Sequence, residues 1–157
     1  MKAAIVMGSK SDYPVVERAE SIFKEFGVDY ETRIISAHRT PRIAEDFASG
    51  AEENGIEVII AAAGKAAHLG GVLAAYTAMP VIGLPVKSST LDGLDSLLSM
   101  VQMPKGVPVA TVAIDGAENA ALLAVQILSV KYPGLREKMK RYKAKMEEDI
   151  IQQDREL

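Results

Sequence analysis

Short apolar runs alternate with helix-forming segments along the whole chain, and this rhythm limits the fold more than any other feature. Lys2–Met7, Asp29–Ile35, Glu57–Ala62, Pro80–Leu84 and Val107–Ile114 read as five strands. Glu57–Ala62 is apolar almost throughout, as suits a strand covered on both faces, whereas Asp29–Ile35 alternates and is expected to be less covered. Strands separated by helices pair in parallel through right-handed crossovers. The pattern therefore predicts α/β architecture: a three-layer sandwich around a five-stranded parallel sheet.

Local signals set the helix boundaries. A first helix is expected over Asp12–Phe26, with Ser11 or Asp12 as cap, Pro14 in its first turn and Gly27 at its end. Val16, Ala19, Ile22, Phe23 and Phe26 share one face of it. A second, capped by Thr40, is expected to run from Pro41 to about Asn54, and shorter ones over His68–Thr77 and Asp92–Met100. Ala117–Val130 has only Glu118, Asn119, Gln126 and Ser129 as polar side chains, so it needs cover beyond one sheet. Other subunits are the expected source of that cover, with burial within the chain as the alternative. A final charged helix, about residues 134–155, carries Leu135, Met139, Tyr142, Met146 and Ile150 at steps of three or four. That stripe is expected to pack on a neighbouring subunit. The 157 residues fit a single domain, 1–157.

Composition removes several functions. A net charge of −3 argues against nucleic acid as a partner, because phosphate backbones select basic surfaces. With no cysteine, thiol catalysis and disulfides are excluded, and two histidines far apart do not make a structural zinc site. No basic-then-apolar leader and no long apolar span are apparent, so a cytoplasmic protein with no membrane partner is expected.

Chemistry in such a sheet is expected in the loops beyond the strands' carboxyl ends. In Ser36-Ala37-His38-Arg39-Thr40-Pro41, four polar groups fall within five positions. His38 there can exchange protons near neutral pH, and Arg39 can hold an anion. In Gly8-Ser9-Lys10-Ser11-Asp12, glycine permits a tight turn and the hydroxyls suit a phosphate. Asp12 fits a ribose hydroxyl better than a phosphate, so a nucleotide is one reading and plain helix capping the other. The loop is neither a P-loop nor a dinucleotide fingerprint. The third loop, Ala63-Gly64-Lys65-Ala66-Ala67-His68, continues into Leu69, Gly70 and Gly71. Its small residues admit either a ligand or close helix packing, and Lys65 brings positive charge. The polar stretch Pro85–Asp92 suits a lid, a wall or an ordinary loop.

Met7-Gly8-Ser9-Lys10-Ser11-Asp12, Ser36-Ala37-His38-Arg39-Thr40-Pro41, Ala66-Ala67-His68-Leu69 and Asp95–Pro104 occur in the order and spacing of the PurE family, which the chain resembles over essentially its whole length. The resemblance implies a flavodoxin-like core assembled as a homo-octamer, with sites between subunits. It implies a purine-biosynthetic enzyme that moves the carboxyl group of N5-carboxyaminoimidazole ribonucleotide to ring carbon 4, with no cofactor. By position, Ser9, Asp12 and Arg39 look like nucleotide-binding residues, Ser11 and Ser36 like phosphate partners and His38 like the acid/base. Gly8 and Gly64 join Ala66, Ala67, His68 and Leu69 in the expected substrate pocket. The family usually has glycine where Lys65 stands and proline where Gly70 stands. At positive φ, a lysine at 65 would cost about 1 kcal/mol; its ammonium could meet a carboxylate or lie outside the pocket. Aminoimidazole ribonucleotide carboxylases, which use free carbon dioxide, are the near rivals, and they usually carry lysine after the second-loop histidine where this chain has Arg39. A non-catalytic flavodoxin- or receiver-like module is the distant one. It lacks support, because no acid cluster follows the first strand and tryptophan is absent.

Overall fold

The computed structural model describes residues 1–157. Five parallel strands stand in the order β2-β1-β3-β4-β5: β1 Lys2–Met7, β2 Asp29–Ile34, β3 Ile56–Gly64, β4 Val81–Val86 and β5 Ala110–Thr111. This is the flavodoxin-like order, which reverses direction beside β1 and opens a crevice there. The helices are α1 Tyr13–Phe26, α2 Pro41–Ser49, α3 Leu69–Tyr76, α4 Leu94–Val101, α5 Ala117–Leu128 and α6 Pro133–Arg155.

The alternation of side chains along each strand divides the interior into two cores. Ala3, Ile5 and Met7 of β1, with Val58, Ile60 and Ala62 of β3, face α1, α5 and α6. Ala4 and Val6, with Ile59 and Ala61, face α2 and α3 and meet Met100 of α4. Phe23 is fully buried in the first core, a burial that stabilises by about 1.5–3 kcal/mol. β2 is an edge strand with no buried residue, as its alternating sequence indicates.

Three expectations change. β5 pairs at only two positions, Ile82 with Ala110 and Gly83 with Thr111, rather than over Val107–Ile114. It is an edge strand, and Pro108 has no backbone N–H to extend the ladder. α2 ends at Ser49 rather than near Asn54: the carbonyl of Gly50 accepts both the backbone and side-chain N–H groups of Asn54, closing a turn instead. Thr40 does not cap α2; its hydroxyl accepts from the Ser36 N–H and donates to the Ser36 carbonyl, each at 3.0 Å.

α5 finds most of its cover within the chain. Ala117, Ala120, Ala121, Ala124, Val125 and Leu128 are buried between the sheet, α1 and α6. Leu122 and Leu123 are half-buried in an open groove shared with Tyr142 and Met146 of α6. Leu135 and Met139 anchor α6, and Tyr142 packs on Phe26 at 5.6 Å, whereas Met146 and Ile150 are exposed. No helix is long and apolar enough to cross a membrane.

Candidate active site

Loops following β1, β2, β3 and β4 enclose one cavity of about 510 Å³ at the carboxyl ends of the strands, a volume suited to a small organic ligand. Gly8 leaves β1 beneath it, its N–H bonded to the Ala62 carbonyl at 3.1 Å. Ser9 then caps a single 3₁₀ turn, Lys10–Asp12, that leads into α1. Its hydroxyl accepts from the N–H and the hydroxyl of Ser11, at 3.3 and 2.9 Å, while its own N–H donates to Asp12 at 3.2 Å. The capping reading holds for Ser9 on this turn, whereas neither Ser11 nor Asp12 caps α1 with its side chain; all three side chains line the cavity. Burial pushes the Asp12 carboxyl above its usual range, against hydrogen bonds from Ser11 and Ser9 and the nearby charge of Arg39.

The second loop is tied to the first through Arg39, whose guanidinium donates to the Gly8 carbonyl at 2.9 Å and to the Ser36 hydroxyl at 3.3 Å. Ser36 also accepts the Arg39 backbone N–H at 3.2 Å. No carboxylate forms an ion pair with Arg39, so its charge is available to an anion. His38 stands beside it on the cavity wall. Its Nε2 lies 2.9 Å from Nδ1 of His68, with the rings edge to face at 5.0 Å. One of these nitrogens donates and the other accepts, so each ring fixes the other's orientation and tautomer.

His68 reaches that position because the third loop turns sharply. Lys65 adopts φ +56, its carbonyl accepts the Ala67 N–H at 2.8 Å, and the Ala66 carbonyl accepts the His68 N–H at the same distance. Gly64 brings β3 against β4, since a Cβ there would lie 3.3 Å from the Val86 carbonyl. Gly64, Lys65, Ala66 and Leu69 line the cavity. Ala67 does not: it is buried in the core under α2 and α3. His68 faces a neighbouring depression with Pro41 and Tyr76, so it stands behind His38 rather than on the wall. Gly70 packs near Val109 and Ala61, away from the cavity.

Val86, Lys87 and Ser88 complete the far side. They fall in the polar stretch Pro85–Asp92, whose wall reading they match, although no residue type there marks these three individually. Ala37 and Ala63 also line the cavity, and nothing in their type marks them. Lys87 is held at both ends, its N–H donating to Asp115 at 2.8 Å and its ammonium lying 3.3 Å from Asp92. Asp115, at φ +55, also donates its N–H to the Pro85 carbonyl at 2.8 Å and accepts Arg18 of α1 on its own carbonyl at 2.7 Å. The cavity thus offers one histidine for proton transfer, hydroxyls and an arginine for a phosphate, a carboxylate for sugar hydroxyls and a small-residue wall.

The AIR carboxylase family model matches residues 2–149. An N5-carboxyaminoimidazole ribonucleotide mutase of Pyrococcus abyssi is 63% identical over 145 residues, covering 92% of this chain and 83% of that one. The protein of the same name from Thermotoga maritima is 56% identical over 156 residues, 99% and 91% of the two chains. The crystal structure of Treponema denticola PurE has a TM-score of 0.89 at 31% identity and covers 99% of this chain and 98% of that one.

Proposed function

The chain belongs to the AIR carboxylase family, and on that premise we propose that it is an isomerase catalysing the reaction its mutase relatives are named for. The carboxyl group of N5-carboxyaminoimidazole ribonucleotide moves from the exocyclic nitrogen to ring carbon 4, giving 4-carboxy-5-aminoimidazole ribonucleotide. The observation that carries the reading is His38, held by His68 at the edge of a cavity whose other walls suit a ribonucleotide.

The chemistry follows from those residues. Ser11, Ser36 and Arg39 receive the phosphate, while Ser9 and Asp12 hold the ribose. His38 protonates the exocyclic nitrogen; the carbon–nitrogen bond breaks and its electron pair stays on nitrogen as carbon dioxide departs. Ring carbon 4 then attacks the trapped gas, and the tetrahedral carbon returns its proton to His38. Acid and base are one imidazole, and no proton is gained or lost over the cycle. Gly64, Ala66 and Leu69 supply a wall without competing nucleophiles that keeps the gas near the ring. No cofactor takes part in this scheme.

The unit is one catalytic domain over residues 1–157, acting in the cytoplasm where its biosynthetic role places it. The exposed Met146, Ile150 and Ile151 of α6 support a homo-oligomer, which we take as the octamer that the family resemblance implies. Arg39, rather than lysine, after His38 favours the mutase over direct use of carbon dioxide. Replacing His38 with Asn tests the reading: turnover of the carboxylated ribonucleotide should fall about 10³-fold with thermal midpoint unchanged. Retained turnover refutes the acid/base role. Faster conversion of the uncarboxylated ribonucleotide with bicarbonate than of the N5-carboxylated one would favour the carboxylase.

A further inference from the structure

We propose that Lys65 strengthens selection for a carboxylated base, its ammonium receiving the carboxyl group that the reaction moves. The inference rests on the mutase reading above.

The backbone gives the first argument. Lys65 holds φ +56, a conformation that costs a residue with a side chain about 1–2 kcal/mol and costs glycine almost nothing. The turn needs that conformation, because it carries the successive bonds to Ala67 and His68 that set His68 against His38. Glycine would make the same turn without strain. Strain of this kind persists where the side chain is useful, and it collects at binding sites.

The charge gives the second. Three cations line the cavity, Arg39, Lys65 and Lys87, against one carboxylate, Asp12, in a chain whose net charge is −3. Arg39 is turned onto Ser36 and the Gly8 carbonyl, and Lys87 is paired with Asp92. Lys65 has no ion-pair partner and is exposed on the cavity rim. The two cations sit on different loops: Arg39 follows β2 and is turned to the Gly8 carbonyl of the first loop, whereas Lys65 follows β3. A ribonucleotide with a carboxylated base is likewise anionic at two separate groups. With phosphate at Arg39 and Lys87 paired with Asp92, Lys65 is the lining cation left for the carboxyl group.

The kinetic consequence is specific. The carboxyl group is an anion in substrate and in product and neutral as carbon dioxide between them. A cation at Lys65 therefore strengthens binding of both carboxylated ribonucleotides without assisting the bond-breaking step.

The experiment compares Lys65→Met, Lys65→Arg and Lys65→Gly with wild type in both reaction directions. Affinity for the uncarboxylated aminoimidazole ribonucleotide is measured alongside, from its competitive inhibition. Lys65→Met should raise KM for both carboxylated ribonucleotides about tenfold. It should raise kcat along with KM, leaving kcat/KM within threefold and affinity for the uncarboxylated ribonucleotide within twofold, and Lys65→Arg should restore KM. Lys65→Gly should match Lys65→Met in KM and keep a thermal midpoint at or above wild type. An unchanged KM, equal weakening toward the uncarboxylated ribonucleotide, or a lower midpoint for Lys65→Gly overturns the inference. A wild type inert toward the carboxylated ribonucleotides instead overturns the mutase reading.

Discussion

The two ends of the sheet differ in where they place strain. Where strands begin, left-handed backbone falls to glycine alone: Gly27 at φ 69, Gly55 at φ 72 and Gly106 at φ 99. Where strands finish, Gly93 adopts it at φ 95, but so do Lys65, Leu91, Asp92 and Asp115 despite their side chains. Charge divides the same way. At the first end Glu57 accepts bonds from the Lys131 ammonium and the Tyr132 hydroxyl, both at 2.8 Å, and lies 3.8 Å from the amino terminus. At the other end Arg39 and Lys65 face no carboxylate within ion-pair distance. Strain and unpaired charge are both unfavourable in isolation, and their coincidence at one edge separates a surface made to hold the fold from one made to hold a ligand.

Substitutions at each end test this division. The largest effect belongs to His38→Asn, whose thousandfold loss of turnover should come with no change in unfolding temperature. Glu57→Gln, at the opposite end, should do the reverse, lowering stability by about 1 kcal/mol with kcat within twofold. Gly55→Ala should cost about 1 kcal/mol or slightly less, purely through its backbone, since an added Cβ meets nothing within 4 Å. A tenfold fall in turnover from either of the last two would erase the distinction between the ends.

The smallest effect is also the sharpest. Burial raises the Glu57 carboxyl, but hydrogen bonds from Lys131 and Tyr132 outweigh it, leaving Glu57 below its ordinary range; Asp12 is held above its own by burial. The lowered group stabilises the fold above the ordinary carboxylate range, and that contribution disappears as pH falls through the folded-state value. The raised group contributes below that range, and its contribution disappears as pH rises through its folded-state value. Asp12→Asn should therefore gain a few tenths of a kcal/mol at neutral pH, and Glu57→Gln should lose stability there. Both differences should shrink in acid. Thermal midpoints taken at neutral pH and below the carboxylate range check both signs.

Much of this division can be read from the chain. Pro14, Gly27 and the spacing from Val16 to Phe26 define α1 almost to the residue, because each signal is local. The loops after β1 and β2 announce themselves by clustered hydroxyls beside His38. The pairing of His38 with His68 does not, because the two rings are 30 residues apart in sequence and the turn that joins them is carried by an atypical lysine. Ala67 shows the same limit from the other side: its neighbour Ala66 lines the cavity while it enters the core, and two alanines in sequence carry no sign of which will do so. Ala117–Val130 shows a related limit. Its apolar faces are shared among the sheet, α1 and α6, and composition measures how much cover a helix needs without saying whose.

Asp115 acts as a hub for the far wall. Backbone N–H, carbonyl and carboxylate are each engaged, so the segment bearing Lys87 and the helix bearing Arg18 are pinned to the same residue. That helix begins immediately after Asp12. The breadth of the opening between Asp12 and Lys87 is therefore gauged by a residue outside the cavity lining, and loosening it should slacken both sides together.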